Sequence, residues 1–328
     1  MLSAKVYNHV MDKSQQTQEV LEKTPRYFLA YLDIWFAVIA WGASFVAARV
    51  VLHGEVSGAV SLSPIVLAAL RFSIASLFFV VPFGIALVRR QISFRQIAQM
   101  ACLGQVAFSL YFWLQYTGVQ KTNASISSIL VVGLIPVVTA FLSQFIGNER
   151  LSLFKFGALL LGFCGVAIIV LQQQVSVNGG VDFLFGSLCL VSNAFAFAVY
   201  SNLSKRWMRN ISPLVMTGGT MMSGTIGLLL LSLTNPISNR WSDVAGLDTL
   251  QWIALLFLAF GCSVVAYFLY NSALTKVEAS VAAVYIYFEP VVAIVLGLTL
   301  LGESLSWQAT LGTVAIGLSV MLVNLMKK

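Results

Sequence analysis

Ten runs of about 20 apolar residues, separated by short polar or Gly/Pro-containing links, set the strongest constraint on this chain. They cover residues 30–52, 63–88, 96–117, 123–146, 151–171, 183–203, 212–233, 251–273, 277–300 and 305–325. About 20 residues of helix cross the hydrocarbon core of a bilayer, and there every backbone N–H and C=O must find its partner inside the same segment. The runs are too long and too uniformly apolar for the alternating strands of a barrel. With 59% hydrophobic and 9% charged residues, the chain cannot cover a water-facing surface. The reading is an all-α integral membrane protein of ten transmembrane helices.

Lysine and arginine set the expected orientation. With the N-terminus inside, the cytoplasmic segments hold Lys5, Lys13, Lys23, Arg26, Arg89, Arg90, Arg95, Arg150, Lys155, Lys205, Arg206, Arg209, Lys276, Lys327 and Lys328, fifteen of the 19 basic residues. Lys121 and Arg240 fall outside, and Arg49 and Arg71 lie within or at the edge of spans. Both termini are therefore expected in the cytoplasm, in a bacterial inner membrane. The net charge of +7 faces anionic lipid and does not point to nucleic acid. Residues 1–29 read as a cytoplasmic tail without a signal peptide, with a short helix near 14–23 that ends before Pro25. Cys102, Cys164, Cys189 and Cys262 all sit in apolar runs without metal-ligand spacing, so buried free thiols are expected.

The chain repeats itself. "GVQKTNAS" (118–125) matches "ALTKVEAS" (273–280), "IPVV" (135–138) matches "EPVV" (289–292) one residue out of phase, and "GNERLS" (147–152) matches "LGESLS" (301–306). "LSPIVL" (62–67) matches "ISPLVM" (211–216). The units are 30–172 and 183–325, five helices each. Five is odd, so the second unit enters the membrane from the opposite side. Such inverted repeats serve alternating access around a site near the midplane.

These residues carry a family resemblance. "AWGASFVAARV", "SPIVLAALRF", "IPVVTAFLSQFIGNERLS", "SPLVM" and "FEPVVAIVLGLTLLGESLS" resemble a tandem EamA-type member of the drug/metabolite transporter superfamily, over about 34–323. The resemblance implies a central cavity lined by spans 1–4 and 6–9, with spans 5 and 10 at the periphery. It also implies the movement, often outward, of amino acids, drugs and other small organic compounds. Ile135 precedes the proline in the first repeat where Glu289 does in the second, so any carboxylate chemistry is one-sided.

Other classes lack their chemistry. No G-x-x-x-x-G-K-[ST] loop supports ATP-driven transport. His9 and His53 are the two histidines, which leaves no metal cluster and no hydrolase triad, so no catalysis, metal or cofactor is expected. The remaining classes are a solute transporter and a lipid-handling or scramblase-like protein. Polar grooves turned toward lipid would mark the second.

Several spans carry polar and aromatic residues at i, i+4, i+7 or i+8, which places them on one face. They are Asp33, Ala37, Trp41 and Ser44; Gln105, Ser109, Trp113 and Tyr116; Asn193, Phe197 and Tyr200; Ser263, Tyr267, Tyr270 and Asn271; and Ala282, Tyr285, Glu289 and Ala293. The candidate cavity set is Trp41, Ser44, Gln105, Ser109, Trp113, Asn193, Tyr267, Asn271, Tyr285 and Glu289. Interface anchoring for the end tyrosines and interhelical hydrogen bonding for Gln105, Asn193 and Asn271 are the competing readings. Arg71 either snorkels to the interface or pairs with a carboxylate, of Glu289 or of a substrate. Pro136 and Pro290 are expected to break spans 4 and 9 near mid-membrane, as paired gates.

Glu289 is the sharpest feature. About 20 Å into its span by helical rise, a carboxylate is costly unless it has a partner or a use. Either it donates, protonated, to a carbonyl freed by Pro290, or it faces a cavity and binds a substrate ammonium or a proton. The sequence thus reads as a secondary transporter or facilitator of a small-molecule substrate, exporting amino acids or related metabolites, with proton coupling as an option. An organic-cation transporter, choline-like or drug, is the alternative. A monomer and a homodimer are both compatible with the glycine faces of spans 5 and 10.

Overall fold

The computed structural model describes residues 2–53, 60–122, 129–171, 181–234, 240–300 and 306–326. Among them there is no strand. The first repeat contributes α1 (Leu2–His53), α2 (Pro64–Val88), α3 (Phe94–Gly104, Gln105–Leu110 and Tyr111–Lys121 in line), α4 (Ile129–Gly133 and Leu134–Ile146) and α5 (Leu153–Leu171). The second contributes α6 (Val181–Trp207), α7 (Pro213–Thr234), α8 (Thr249–Ala259, Phe260–Val265 and Ala266–Leu274), α9 (Ala279–Val284, Tyr285–Phe288 and Glu289–Leu300) and α10 (Trp307–Leu325). Eight are long and apolar enough to cross a membrane, and the apolar helices over Leu130–Ile146 and Leu153–Ile169 are shorter. The first residues of the expected span 4 and residues 301–305 lie outside the described residues.

Local chemistry sets several helix starts. Ser63 caps α2 ahead of Pro64, where a missing N–H costs nothing. Ser93 with Gln96 and Asp248 with Gln251 form capping boxes at α3 and α8. One expectation fails here. The helix does not stop before Pro25 but runs unbroken through it to His53. A proline removes one backbone bond, and the turns on either side carry the helix past it.

The packing follows an approximate two-fold. α5 lies on α10, α2 on α7 and α4 on α9, each pair being its own mate. The contact of α3 with α6 is repeated by α8 with α1, that of α4 with α6 by α9 with α1, and that of α3 with α7 by α8 with α2. At α5–α10 the backbones nearly touch. A Cβ on Gly165 would lie 2.8 Å from the carbonyl oxygen of Gly312, and one on Gly312 would lie 2.6 Å from that of Gly165. Small residues permit such an approach in lipid, where packing rather than water expulsion drives association. The outer surface is apolar, with Phe36, Leu77, Val81, Phe145, Leu188 and Ile226 exposed. All four cysteines are free. Cys189 and Cys262 are buried, while Cys102 and Cys164, expected inside, are exposed on the outward faces of α3 and α5.

The same ladder interruption recurs in both halves. Gln105–Leu110 of α3 and Phe260–Val265 of α8 are single widened, π-type turns, and they lie 155 residues apart in sequence, as do Lys121 and Lys276. α4 and α9 are interrupted just before their prolines, but in opposite senses. α4 carries a π-type turn at Ile129–Gly133, whereas α9 tightens to a 3-10 turn at Tyr285–Phe288.

Candidate functional site

A cluster of rings from five helices fills the centre of the bundle. Trp41 of α1 lies 5.2 Å, centroid to centroid, from both Tyr267 and Tyr270 of α8 and 6.1 Å from Phe197 of α6. Phe72 of α2 stacks 5.0 Å from Phe108 and from Phe112 of α3. Phe108 closes the ring at 5.2 Å from Tyr267, and Tyr111 lies 6.2 Å from Phe197. Tilted and edge-on contacts of this kind are favoured by the ring quadrupole.

The widened turn of α8 holds this cluster in place. The N–H of Ala266 donates to the carbonyls of Gly261 and Ser263, so the carbonyl of Cys262 between them is left without its helical donor. The indole Nε1 of Trp41 donates to it at 3.0 Å. Single π turns often mark functional positions for this reason, since they expose a backbone acceptor inside a helix. The same turn presents Ser263, whose Oγ donates to the carbonyl of Leu258 at 2.9 Å and accepts from Nε of Arg71 at 2.7 Å. The Arg71 guanidinium also lies 4.9 Å from the Phe72 ring centroid. Arg71 is therefore fixed across α2 and α8, and no ion pair joins it to Glu289 among the described residues.

Glu289 opens the last segment of α9 and is 9% exposed. It makes no hydrogen bond or ion pair among the described residues, to the carbonyl of Ile286 or to any other group. Tyr111, Tyr267 and Tyr270 are within its electrostatic reach. A buried carboxylate with no protein partner among the described residues, within reach of three tyrosines, is able to take a proton or a cation from outside the protein.

The remaining expected residues separate. Asn193 donates to the carbonyl of Tyr111 at 2.7 Å, and Asn271 donates to Tyr200 Oη at 2.7 Å and Thr217 Oγ1 at 2.8 Å. Both leave their Oδ1 buried without a partner. Ser44 donates to the carbonyl of Trp41 in its own helix. Gln105 and Ser109 turn to α7, where they donate to the carbonyls of Ser223 and Gly224, and Gly227 makes room for them. Trp113 is 41% exposed on the outer face. The widened turn between Gln105 and Leu110 explains this, because one extra residue rotates the rest of the helix by about 100°. Tyr285 parts from Glu289 in the same manner. Its ring packs on Tyr31 and Trp35 of α1 and its Oη accepts from Asn324 of α10. The 3-10 turn between Tyr285 and Glu289 adds about 80° to their separation around the axis. Sequence spacing missed Phe72, Phe108, Tyr111 and Phe112 as ring neighbours of Tyr267 and Trp41; the aromatic density of "FSLYFW" was the available signal.

The two ends of the bundle are tied differently. At one end, which carries most of the basic residues, a buried ionic network joins both repeats. Glu149, in the α4–α5 link, accepts from Lys205 Nζ at 3.0 Å, from the N–H of Ala279 at 2.7 Å and from Ser280 Oγ at 2.6 Å. It thereby caps the N-terminus of α9. Lys155 donates to Glu278 and to Ser280, both at 2.7 Å. Burial alone would raise the Glu149 pKa, but the Lys205 charge and the Ser280, Ala279 and Lys205 hydrogen bonds outweigh it and hold the carboxyl below its usual range. An open recess of about 220 Å³ nearby, lined by Gly147, Asn148, Lys205, Arg206 and Arg209, belongs to this end and not to the aromatic centre. At the opposite end, Gln251 donates to the carbonyl of Val60 at 2.7 Å, and Lys121 pairs with Asp182.

Known proteins resemble the chain in sequence and in fold. The model of the EamA-like transporter family matches residues 28–171 and again 184–325. An uncharacterized transporter of Archaeoglobus fulgidus is 26% identical over 293 residues, which cover 89% of this chain and 98% of that one. The uncharacterized transporter YcxC of Bacillus subtilis is 24% identical over 315 residues, 94% of this chain and 96% of that one. A solved crystal structure, 18% identical and covering 90% of this chain and 96% of its own, matches with a TM-score of 0.74, a likeness of fold.

Proposed function

The chain belongs to the EamA-like transporter family, and from that premise we propose a secondary transporter or facilitator that exports amino acids or related small amphiphilic metabolites by alternating access. The observation that carries the reading is Glu289, buried and without a partner among the described residues, within reach of Tyr267 in an aromatic cluster built by both repeats. A substrate ammonium would take the carboxylate, its apolar part would lie among Trp41, Tyr267 and Phe197, and Arg71 would face a substrate carboxylate. In the absence of substrate, a proton on Glu289 would remove the cost of a bare buried charge. That exchange would couple solute movement to a proton. The reading places the basic end in the cytoplasm of a bacterial inner membrane, supported by the general enrichment of lysine and arginine in cytoplasmic loops.

A second reading, transport of an organic cation, is favoured by one feature. Arg71 is already engaged by Ser263 and the Phe72 ring, which leaves the unpartnered carboxylate and the rings as the recognition elements. A flux screen in reconstituted liposomes tests both readings. Amino acids and quaternary amines are compared with and without an imposed pH gradient, for the wild type and Glu289→Gln. Saturable flux of an amino acid that Glu289→Gln abolishes is expected. Flux of quaternary amines alone would replace the first reading by the second, and wild-type flux with an unaltered pH profile in Glu289→Gln would remove the site.

A further inference from the structure

Two ion pairs at opposite ends of the bundle are copies of each other. Lys121, the last residue of α3, pairs with Asp182 at the start of α6. Lys276, just past the end of α8, pairs at 3.5 Å with Asp33 of α1. Lys276 follows Lys121 by 155 residues, the spacing of the matched "K-x-x-A-S" motifs and of the two widened turns. Asp182 follows Asp33 by 149 residues, the spacing of the matched "LSPIVL" and "ISPLVM" segments. The pseudo-two-fold that carries the α3–α6 contact onto α8–α1 therefore carries one ion pair onto the other. The lysine is on the third helix of its repeat and the aspartate on the first helix of the other repeat in both cases.

The packing one turn inside each pair is matched in the same way. Gly118 of α3 faces Gly186 of α6, so closely that a Cβ on Gly186 would lie 2.8 Å from the Cβ of Lys121. The positions 155 and 149 residues away are Ala273 and Ala37, both fully buried. Each end thus has buried small residues one turn inside a lysine–aspartate pair.

We infer that Lys121–Asp182 and Lys276–Asp33 are reciprocal latches, each holding one end of the bundle closed over the aromatic centre. In each open state one pair breaks and the other holds. The inference rests on the alternating-access reading. Its energetics suit a gate. The side chains are 36% and 82% exposed in one pair and 32% and 20% in the other. Such pairs are weak enough to break at thermal cost, and the freed charges are rehydrated. Because the two are related by the repeat, breaking one while the other forms exchanges like for like apart from the Glu149 network, which lets bound solute weigh on the direction. Both pairs are formed in this structure. The ends differ in one respect: the buried Glu149 network reinforces the end that bears Lys276.

The test reads access to the aromatic centre rather than transport. In a chain lacking the native cysteines, a reporter cysteine replaces Tyr267, and impermeant maleimide is applied from each end in oriented vesicles. Asp182→Lys sets two like charges together at the Lys121 end. It should raise labelling from that end about two- to fivefold and lower it from the other. Asp33→Lys should do the reverse, with a smaller shift because Glu149 still holds its end. The swapped doubles Lys121→Asp/Asp182→Lys and Lys276→Asp/Asp33→Lys should restore the parent pattern. Shifts in the same direction, or none, in variants that remain monodisperse would overturn the latches. Opposite shifts in the reporter chain, with no flux of the solutes screened in the protein that keeps Tyr267, would keep the latches and remove the proposed substrate class instead.

Discussion

α4 and α9 occupy equivalent places in the two repeats, yet their backbones depart from the α-helix in opposite directions. Eleven positions separate Ser125 from Pro136, and ten separate Ser280 from Pro290. A π-type turn takes in an extra residue and a 3-10 turn sheds one. α4 widens at Ile129–Gly133 and α9 tightens at Tyr285–Phe288, so both prolines still fall within one turn after the break. The residue ahead of the proline then differs in kind. Ile135 is buried among apolar neighbours, while Glu289 is buried without a partner. The difference teaches that the moving parts and the recognising parts obey different rules. The widened turns of α3 and α8 and the lysine–aspartate pairs at the two ends recur in both halves, as expected of an inverted repeat that works from either side. The carboxylate occurs once, as a single solute or proton requires.

The largest expected effect tests that asymmetry. Glu289→Gln keeps shape and hydrogen-bonding capacity but cannot ionise. A charge-assisted contact is worth roughly 1.5–3 kcal/mol, so loss of about tenfold to a hundredfold in flux is expected. Ile135→Val at the equivalent position should leave flux within about twofold, at a stability cost of about 1 kcal/mol. Equal losses in both variants, measured as initial uptake in liposomes, would break the comparison.

Next in size is the contrast between the ends. Glu149 is buried with three kinds of donor, so Glu149→Ala leaves Lys205 and the α9 N-terminus unanswered and should lower stability by about 3 kcal/mol. Asp182→Ala, at the exposed pair, should change it by about 0–1 kcal/mol. Thermal unfolding in detergent distinguishes them. The sign with pH follows from the depressed Glu149 pKa. Its contribution is present above the carboxylate range of the unfolded chain and is lost as pH falls through the lower folded value. The gap in melting temperature between the wild type and Glu149→Gln should therefore close on acidification, and a gap that widens would contradict the network.

A smaller, kinetic effect is expected of the prolines. Each comes after a non-α turn and withholds an N–H from the carbonyl one turn before it. Pro136→Ala and Pro290→Ala should each change flux by about two- to tenfold with little change in melting temperature, because hinge residues act on rate. If α4 and α9 serve as paired gates, the two variants should respond alike even though Ile135 and Glu289 do not. A response confined to Pro290→Ala would tie that proline to the carboxylate rather than to a gate.

Much of this was legible in the sequence. Apolar run length gave the ten helices, and matched motifs gave the two repeats, because both rest on constraints that lipid makes strict. The charge asymmetry at Glu289 was also visible, since a single carboxylate in an apolar run has few explanations. The side-chain faces were less legible. Helical spacing assumes an unbroken 3.6-residue period, and α3, α4, α8 and α9 each break it once. Phe108 and Tyr111 entered the centre, Tyr285 left it, and Gln105 and Ser109 turned to α7, all within one turn of a break.

The smallest expected effect comes from that displacement. By unbroken spacing, Gln105, Ser109 and Trp113 share a face, and Trp113 would line the chamber. The extra residue in the turn Gln105–Leu110 carries Trp113 round to the outer surface, where it is 41% exposed, and brings Phe112 against Phe72 and Tyr116 instead. Trp113→Leu keeps an apolar side chain facing lipid, so flux should stay within about twofold and stability within about 0.5 kcal/mol, as for a surface substitution. Phe112→Leu, one position earlier, opens a gap between α2 and α3 and should cost about 1–2 kcal/mol and alter flux. Reversal of this order, with Trp113→Leu the more damaging, would mean that α3 keeps a regular period in the membrane. The equivalence of the widened turns in α3 and α8 would then fail with it.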